Sequence, residues 1–136
     1  MTTIVVDASF AGAWILPDEH SGESETVLQA VLDGKENIAV PDLWAYEMLN
    51  LLLSACRRGR IDIDRMEQAV NLVQRIPVSY YDHQAPLLAN RVIRLAVRFS
   101  LSVYDAAYLE LADRLQCPLR SLDKNLTAAA SSLGLA

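Results

Sequence analysis

The sequence predicts an α/β protein in which helices cover both faces of a parallel β-sheet. Short β-branched segments such as Thr3–Val6 alternate with longer stretches of helical periodicity, which is the pattern of a parallel sheet with crossover helices. The chain has 136 residues, and 52% of them are hydrophobic, so it can bury one sizeable core. No stretch has the composition of a linker, and we therefore predict one domain over residues 1–136.

The elements of the first half are bounded by turn and capping residues. A short buried strand leads into a helix that Pro17 stops, and Ser21 or Ser24 can cap the next helix, which Gly34 ends. A second strand is closed by Pro41, and Asp42 is then predicted to cap a long helix. In order, these elements are strand 3–6, helix 9–16, a helix ending at 34, strand 37–40 and helix 43–58.

The second half repeats the alternation with shorter strands. Asp64 is predicted to open a helix, and Pro77 and Pro118 each precede a short apolar segment of strand type. The predicted elements are helix 64–75, strand 77–81, helices 86–99 and 103–115, strand 118–121 and helix 124–133.

The charge balance argues against bulk attraction to nucleic acid. There are 12 Lys+Arg against 17 Asp+Glu, a net charge of −5, so any attraction to phosphate must be local. Arg57, Arg58 and Arg60 cluster after the long helix, where they can contact an RNA backbone or can simply form a solvated helix end. Arg91, Arg94 and Arg98 recur at helical spacing and indicate an outer helix face.

The chain carries no membrane or secretion signal of the usual kind. No apolar run approaches the roughly 20 residues that span a bilayer, and the start MTTIVVDASF lacks a basic segment and a small-residue cleavage site. Cys56 and Cys117 form no CxxC motif, which fits reduced thiols. We therefore expect a cytoplasmic protein.

Two acidic residues follow predicted strands directly. Asp7 ends the segment VVDASF, and Asp123 follows the last strand in PLRSLDKN. Sites in parallel α/β sheets form at the carboxyl ends of strands, so both side chains are expected at the same edge of the sheet. Either residue alone can also be explained as a helix N-cap.

A third acid lies on a helix that is otherwise almost entirely apolar. In PDLWAYEMLNLLLSACRR, the polar side chains Glu47, Asn50 and Ser54 are spaced so that they share one face. This face either lines a cleft, with Glu47 nearest the strand ends, or is a narrow solvent stripe.

The fourth acid, Asp105, is predicted to lie on an inward face. In SVYDAAYLELADRL the solvent stripe is expected at Glu110, Asp113 and Arg114, whereas Asp105 is in line with Tyr108. A buried carboxylate needs a partner, because an unpaired buried charge costs several kcal/mol. A capping box with Ser102 remains an alternative explanation.

The types of these residues favour a hard divalent cation. His20 and His83 are isolated and are expected at the surface, so no histidine set is available to hold zinc. Oxygen ligands select Mg²⁺ or Mn²⁺ over Zn²⁺. Carboxylate-held divalent cations that activate water are a known route to phosphodiester hydrolysis.

Three segments of the chain carry a resemblance to a known family: VVDASF, AYEMLNLL and LSVYDAAYLELADRLQCPLRSLDKNL. Together they resemble the PIN domain, and in particular the VapC-type toxins of toxin–antitoxin pairs. The resemblance covers essentially the whole chain. It implies a three-layer α/β/α sandwich with a four- to five-stranded parallel sheet, and a Mg²⁺- or Mn²⁺-dependent endoribonuclease.

The resemblance also assigns roles to single residues and implies partners. The acidic quartet of the family maps onto Asp7, Glu47, Asp105 and Asp123, and its supporting polar positions map onto Ser9, Asn50 and Ser121. It implies an RNA substrate, an antitoxin protein that occupies the active-site groove, and a homodimer.

Two other classes of protein remain open at this point. A phospho-accepting signalling domain or a haloacid-type phosphatase also places Asp at a strand end, but the latter needs a second Asp where Ser9 stands, and the former needs an acidic pair that is missing. A non-catalytic binding module, in which the acids only cap helices, is the other class.

Apolar residues of the second and fourth helices also indicate self-association, because one small sheet does not cover them all. These residues are Val27, Leu28, Val31, Leu32, Met66, Val70, Leu72 and Val73.

Overall fold

A four-stranded parallel sheet forms the centre of the molecule, as predicted. The computed structural model describes residues 2–16, 22–82 and 86–136. Within these ranges the strands are β1 (Thr2–Val6), β2 (Glu36–Pro41), β3 (Val78–Tyr81) and β4 (Leu119–Arg120), in the order β3-β2-β1-β4.

Strand β1 is central because its apolar residues are covered on both faces. Ile4, Val5 and Val6 are all buried, and Val5 pairs with Ala39 of β2 and with Leu119 of β4. Because β1 and β4 are adjacent and parallel, the residues that follow them emerge at the same edge of the sheet.

Seven helices surround the sheet in the described residues. They are α1 (Ala8–Gly12), α2 (Gly22–Leu32), α3 (Leu43–Arg57), α4 (Ile63–Arg75), α5 (Pro86–Phe99), α6 (Val103–Leu115) and α7 (Lys124–Ser132). Helix α6 packs against β1 and β2 as well as α5 and α7, and all its residues from Ala106 to Ala112 are buried. None of the helices in these ranges is long and apolar enough to cross a membrane.

The start of α3 at Leu43 is as predicted, but the capping residues predicted for α3 and α4 are wrong, for a backbone reason. Asp42 has helical dihedral angles (φ −53°, ψ −32°) and makes no capping hydrogen bond with its side chain, whereas a capping residue needs an extended backbone. Asp62, not Asp64, has that conformation and caps α4, since its side chain accepts a hydrogen bond of 2.7 Å from the backbone N–H of Arg65.

Helices α1 and α2 also differ from their predicted limits. Helix α1 ends at Gly12 rather than at residue 16, and α2 starts at Gly22, so that Ser24 lies inside it rather than at its cap. Pro17, His20, Ser21 and His83, on which other expectations rested, lie outside the described residues.

The predicted solvent stripe on α6 is wrong for Glu110, whose relative exposure is 0%. Its carboxylate lies 3.0 Å from the guanidinium of Arg114, and that guanidinium also lies 5.9 Å from the centre of the Tyr81 ring. The sheet and the neighbouring helices surround α6, so even its polar side is covered. The arginine makes this burial possible, because it compensates the buried carboxylate.

Candidate active site

Asp7 follows β1 and is buried at the carboxyl edge of the sheet, with a relative exposure of 5%. Its Oδ1 accepts hydrogen bonds from the backbone N–H of Phe10 (3.0 Å) and from the hydroxyl of Ser9 (2.8 Å). Its Oδ2 accepts a hydrogen bond of 2.6 Å from the hydroxyl of Ser121. Asp7 therefore caps α1, and it is also held by both predicted supporting serines.

The two serines connect Asp7 to the loop that follows β4. Ser9 Oγ accepts a hydrogen bond from the backbone N–H of Leu122 (3.0 Å), and Ser121 Oγ accepts one from the backbone N–H of Asp123 (2.9 Å). Each hydroxyl thus accepts from the backbone and donates to the Asp7 carboxylate. This arrangement fixes the Asp7 carboxylate relative to Asp123.

Asp123 is the N-cap of α7, and its Oδ1 accepts a hydrogen bond of 2.9 Å from the backbone N–H of Leu126. The capping explanation is therefore correct for both Asp7 and Asp123. An ionised carboxylate has two oxygens with about four lone-pair positions. The cap bond of Asp123 uses one of these, and the three hydrogen bonds that Asp7 accepts leave one position on its Oδ2 for a cation.

Glu47 lies in the second turn of α3 and is held by a residue that the sequence did not single out as functional. The hydroxyl of Tyr108 donates a hydrogen bond of 2.5 Å to Glu47 Oε1. Tyr108 is completely buried on α6, and burial together with the bond to Glu47 raises its pKa above the ordinary value, which keeps it a neutral donor. The sequence signal that could have identified Tyr108 is its position three residues after Asp105, on the same face of the helix.

Asp105 lies in the first turn of α6 and is half-buried. Its backbone N–H donates a hydrogen bond of 3.1 Å to Ser102 Oγ, so Ser102 is the N-cap of this helix. That cap uses the backbone of Asp105, and the side chain of Asp105 interacts with the other acids.

The four carboxylates interact electrostatically, and the interactions raise the pKa values of three of them. Burial is the largest cause of the raised pKa values of Asp7, Glu47 and Asp105. Repulsion between carboxylates raises the pKa further in each case. Asp123 repels Asp7 and Asp105, and both Asp7 and Asp105 repel Glu47. Four elements thus bring the predicted quartet to one edge of the sheet.

The quartet has the chemistry of a divalent-cation site but not a closed cage. All four side chains offer carboxylate oxygens, the ligands that Mg²⁺ and Mn²⁺ prefer, and their mutual repulsion is what a cation would relieve. Among the described residues, however, no three His, Cys, Asp or Glu side chains are close enough together to form a ready-made metal site.

An open cavity of about 430 Å³ lies beside this edge of the sheet. It is lined by Ala8, Ser9, Tyr46, Glu47, Asn50, Leu51 and Tyr104. Asn50 and Glu47 therefore both lie on the cavity side of α3.

Arg57, Arg58 and Arg60 do not line this cavity. Arg57 is the last residue of α3, Arg58 is its C-cap, and all three are exposed. With a rise of about 1.5 Å per residue, the ten-residue separation puts Arg57 roughly 15 Å from Glu47 along the helix.

Comparison with known families and proteins agrees with the resemblance in the sequence. The family profile described as "PIN domain" matches residues 4–131. The chain is 32% identical over 126 residues to Ribonuclease VapC3 of Pyrobaculum aerophilum, covering 90% of this chain and 91% of that protein. It is also 32% identical over 124 residues to Ribonuclease VapC9 of Mycobacterium tuberculosis, covering 91% and 88%.

Solved structures support the fold. The crystal structure of PAE2754 from Pyrobaculum aerophilum has a TM-score of 0.72 at 23% identity, covering 94% of this chain and 79% of that one. Mycobacterium tuberculosis VapC20, described as a sarcin–ricin loop cleaving toxin, has a TM-score of 0.62 at 19% identity, covering 93% and 94%.

Proposed function

The chain belongs to the PIN-domain family, and from this premise we propose that it is a Mg²⁺- or Mn²⁺-dependent endoribonuclease, the toxin of a toxin–antitoxin pair. The observation that supports the proposal is the mutual repulsion among Asp7, Glu47, Asp105 and Asp123 near the carboxyl edge of the sheet, where Glu47 lines an open cavity. The names of the relatives, which are ribonucleases and a toxin, support the same reaction.

These four carboxylates are the residues that would hold the cation. Once bound, a divalent cation lowers the pKa of water and stabilises charge on the phosphate oxygens. Ser9 and Ser121 fix the Asp7 carboxylate, and Tyr108 fixes that of Glu47. Glu47 lines the cavity, and it is therefore the carboxylate that we assign to accept a proton from the attacking water.

A phospho-accepting role is less well supported by the geometry. The second Asp that a haloacid-type phosphatase needs is replaced by Ser9, whose hydroxyl instead donates a hydrogen bond of 2.8 Å to Asp7 Oδ1. A purely structural role for the acids does not explain the cavity that Glu47 lines or the mutual repulsion of the carboxylates.

The test is incubation of the protein with total RNA and Mg²⁺ or Mn²⁺, with and without EDTA. We expect cleavage that EDTA abolishes, and its loss in Asp7→Asn and in Asp105→Asn. Asparagine keeps the shape, and at position 7 it also keeps the capping oxygen, so circular dichroism should show folded variants.

The matched control is Asp113→Asn, because Asp113 is also on α6 but pairs with Arg91 at 3.2 Å, away from the quartet. This control should cleave like the parent. Cleavage that survives in both Asp7→Asn and Asp105→Asn would refute the proposed site.

The family also leads us to propose an antitoxin partner, a homodimer and a cytoplasmic location. In support of the dimer, Leu32 and Leu72 are 63% and 44% exposed on α2 and α4, although their neighbours Val31 and Val73 are buried. Two free thiols fit a reducing compartment. Light scattering should give twice the chain mass at micromolar concentration, and a monomer mass would remove the dimer.

A further inference from the structure

Two exposed tyrosines each stand immediately before a carboxylate of the quartet. Tyr46 precedes Glu47 on α3 and is 78% exposed, and Tyr104 precedes Asp105 on α6 and is 64% exposed. Large aromatic side chains of this kind are usually covered in proteins. Two rings exposed at this place are available to a ligand of the proposed site.

Both rings line the same cavity as Glu47, although they belong to different helices. Successive side chains of an α-helix point about 100° apart, since there are 3.6 residues per turn. Each tyrosine is thus directed to the side of its neighbouring carboxylate. The outcome is one cavity whose lining includes the carboxylate of Glu47 and two tyrosines from different helices.

We propose that Tyr46 and Tyr104 are stacking subsites for unpaired nucleobases of single-stranded RNA, on the two sides of the phosphate that is cut. This proposal rests on the ribonuclease function proposed above. Aromatic rings are suited to the role because every base has a π-face that can stack on them, whatever the sequence.

The charge of the protein favours such contacts. With a net charge of −5 and an acidic cluster at the site, the chain gains little from general attraction to a polyanion. Base stacking supplies affinity that does not depend on positive charge. Bases in a duplex are already stacked on one another, so the subsites select unpaired RNA.

The test compares binding of two short strands of equal length to proteins that all carry Asp7→Asn, so that the RNA is not consumed. One strand is oligoadenylate, and the other has the same sugar–phosphate backbone without bases. Tyr46→Ala and Tyr104→Ala should each weaken binding of oligoadenylate by about five- to a hundredfold. Neither should change binding of the abasic strand by more than about twofold.

Two kinds of control separate stacking from general damage. Tyr46→Phe and Tyr104→Phe keep the ring and should bind oligoadenylate within about threefold of the parent. Val97→Ala alters a side chain on α5 that is also 78% exposed but does not line the cavity, and it should bind both strands like the parent.

The outcomes distinguish this proposal from the one on which it rests. If the protein with Asp7 intact neither binds nor cleaves RNA in Mg²⁺ or Mn²⁺, both the ribonuclease function and the subsites are refuted. RNA cleavage by that protein, combined with unchanged oligoadenylate binding in both alanine variants, overturns the subsites alone. An altered mass in light scattering with unchanged RNA binding would instead assign the rings to a contact between copies of the chain.

Discussion

Tyr108 is uncharged, but its hydroxyl holds the carboxylate of Glu47 in place. Its hydroxyl lies 2.5 Å from Glu47 Oε1, and its ring is completely buried, so it has no freedom to move away. Partners of this kind, outside the ligand set, fix the orientation of metal-binding carboxylates. We therefore regard Tyr108 as a positioning residue of the proposed cation site.

Tyr108→Phe removes only the hydroxyl and should reduce affinity for Mn²⁺ by about 10- to 100-fold, as removal of such partners typically does. The measurement is binding of Mn²⁺ by electron paramagnetic resonance, together with the Mg²⁺ concentration at half-maximal cleavage. Tyr46→Phe, which removes a hydroxyl from an exposed ring of α3, is the control and should not alter Mn²⁺ binding. Equal Mn²⁺ affinity in Tyr108→Phe and the parent would show that the bond only supports packing.

The sequence predicts the positions of Asp7 and Asp123 after strands correctly, and its failures elsewhere have a common cause. Asp7 and Asp123 were recognisable because local order alone places an acid after a strand. Glu110 was placed on the surface, although it is buried against Arg114. The bond from Tyr108 to Glu47 joins residues 61 positions apart. No local pattern contains such pairings, because tertiary packing creates them.

At the scale of elements, α3 connects the proposed catalytic edge to a basic end. Glu47 lies near its start, and Arg57 and Arg58 lie at its C-terminus, where cations are also favoured by the helix dipole. An extended RNA strand that follows the helix would meet the arginines beyond the cavity. We propose that these side chains and Arg60 contact the RNA backbone.

Replacement of Arg57, Arg58 and Arg60 by alanine should weaken RNA binding at low salt. It should also lower the slope of log affinity against log salt concentration by about 0.7 for each phosphate that the protein no longer neutralises. Affinity measured over a range of salt concentrations tests this. The double variant Arg94→Ala and Arg98→Ala, on α5, should leave the slope unchanged, and the same slope in the triple variant and the parent would contradict the assignment.

The sequence predicts the bounds of the helices more accurately than the residues that cap them. The limits of α5 and α6 agree with the sequence pattern to the residue, because their ends carry clear signals, such as Ser102 before α6. Asp42 and Asp62 are both acids before a helix, and only the backbone angles show that the second one caps. Such angles depend on how the chain leaves the preceding element.

At the scale of the whole molecule, the quartet should affect folding stability. Burial first, and repulsion second, raise the folded-state pKa values of Asp7, Glu47 and Asp105. Their unfolded values stay near the ordinary value of about 4. Between the two pKa values the native state binds more protons than the unfolded state, so the free energy of unfolding falls as pH rises through this interval.

The metal-free protein should therefore melt at a lower temperature as the pH rises above about 4 and passes through the raised folded-state pKa values. Mg²⁺ or Mn²⁺ should restore stability by about 2.7 kcal/mol at a hundredfold excess over the dissociation constant. Asp7→Asn removes a buried charge and a ligand, so it should raise the metal-free melting temperature and reduce the increment caused by metal. Calorimetry checks both, and a lower melting temperature with the full increment would limit Asp7 to capping.

That the chain forms one domain stays a prediction.

The hydrogen bond from Ser121 to Asp7 joins residues that are 114 positions apart. A ribosome adds about 5–20 residues per second, so roughly 6–23 s separate the synthesis of the two partners. During that interval the growing chain has Asp7 but lacks β4, Ser121 and Asp123. For the proposed ribonuclease, the nascent chain therefore lacks part of the proposed site until β4 and the loop that follows it have been made.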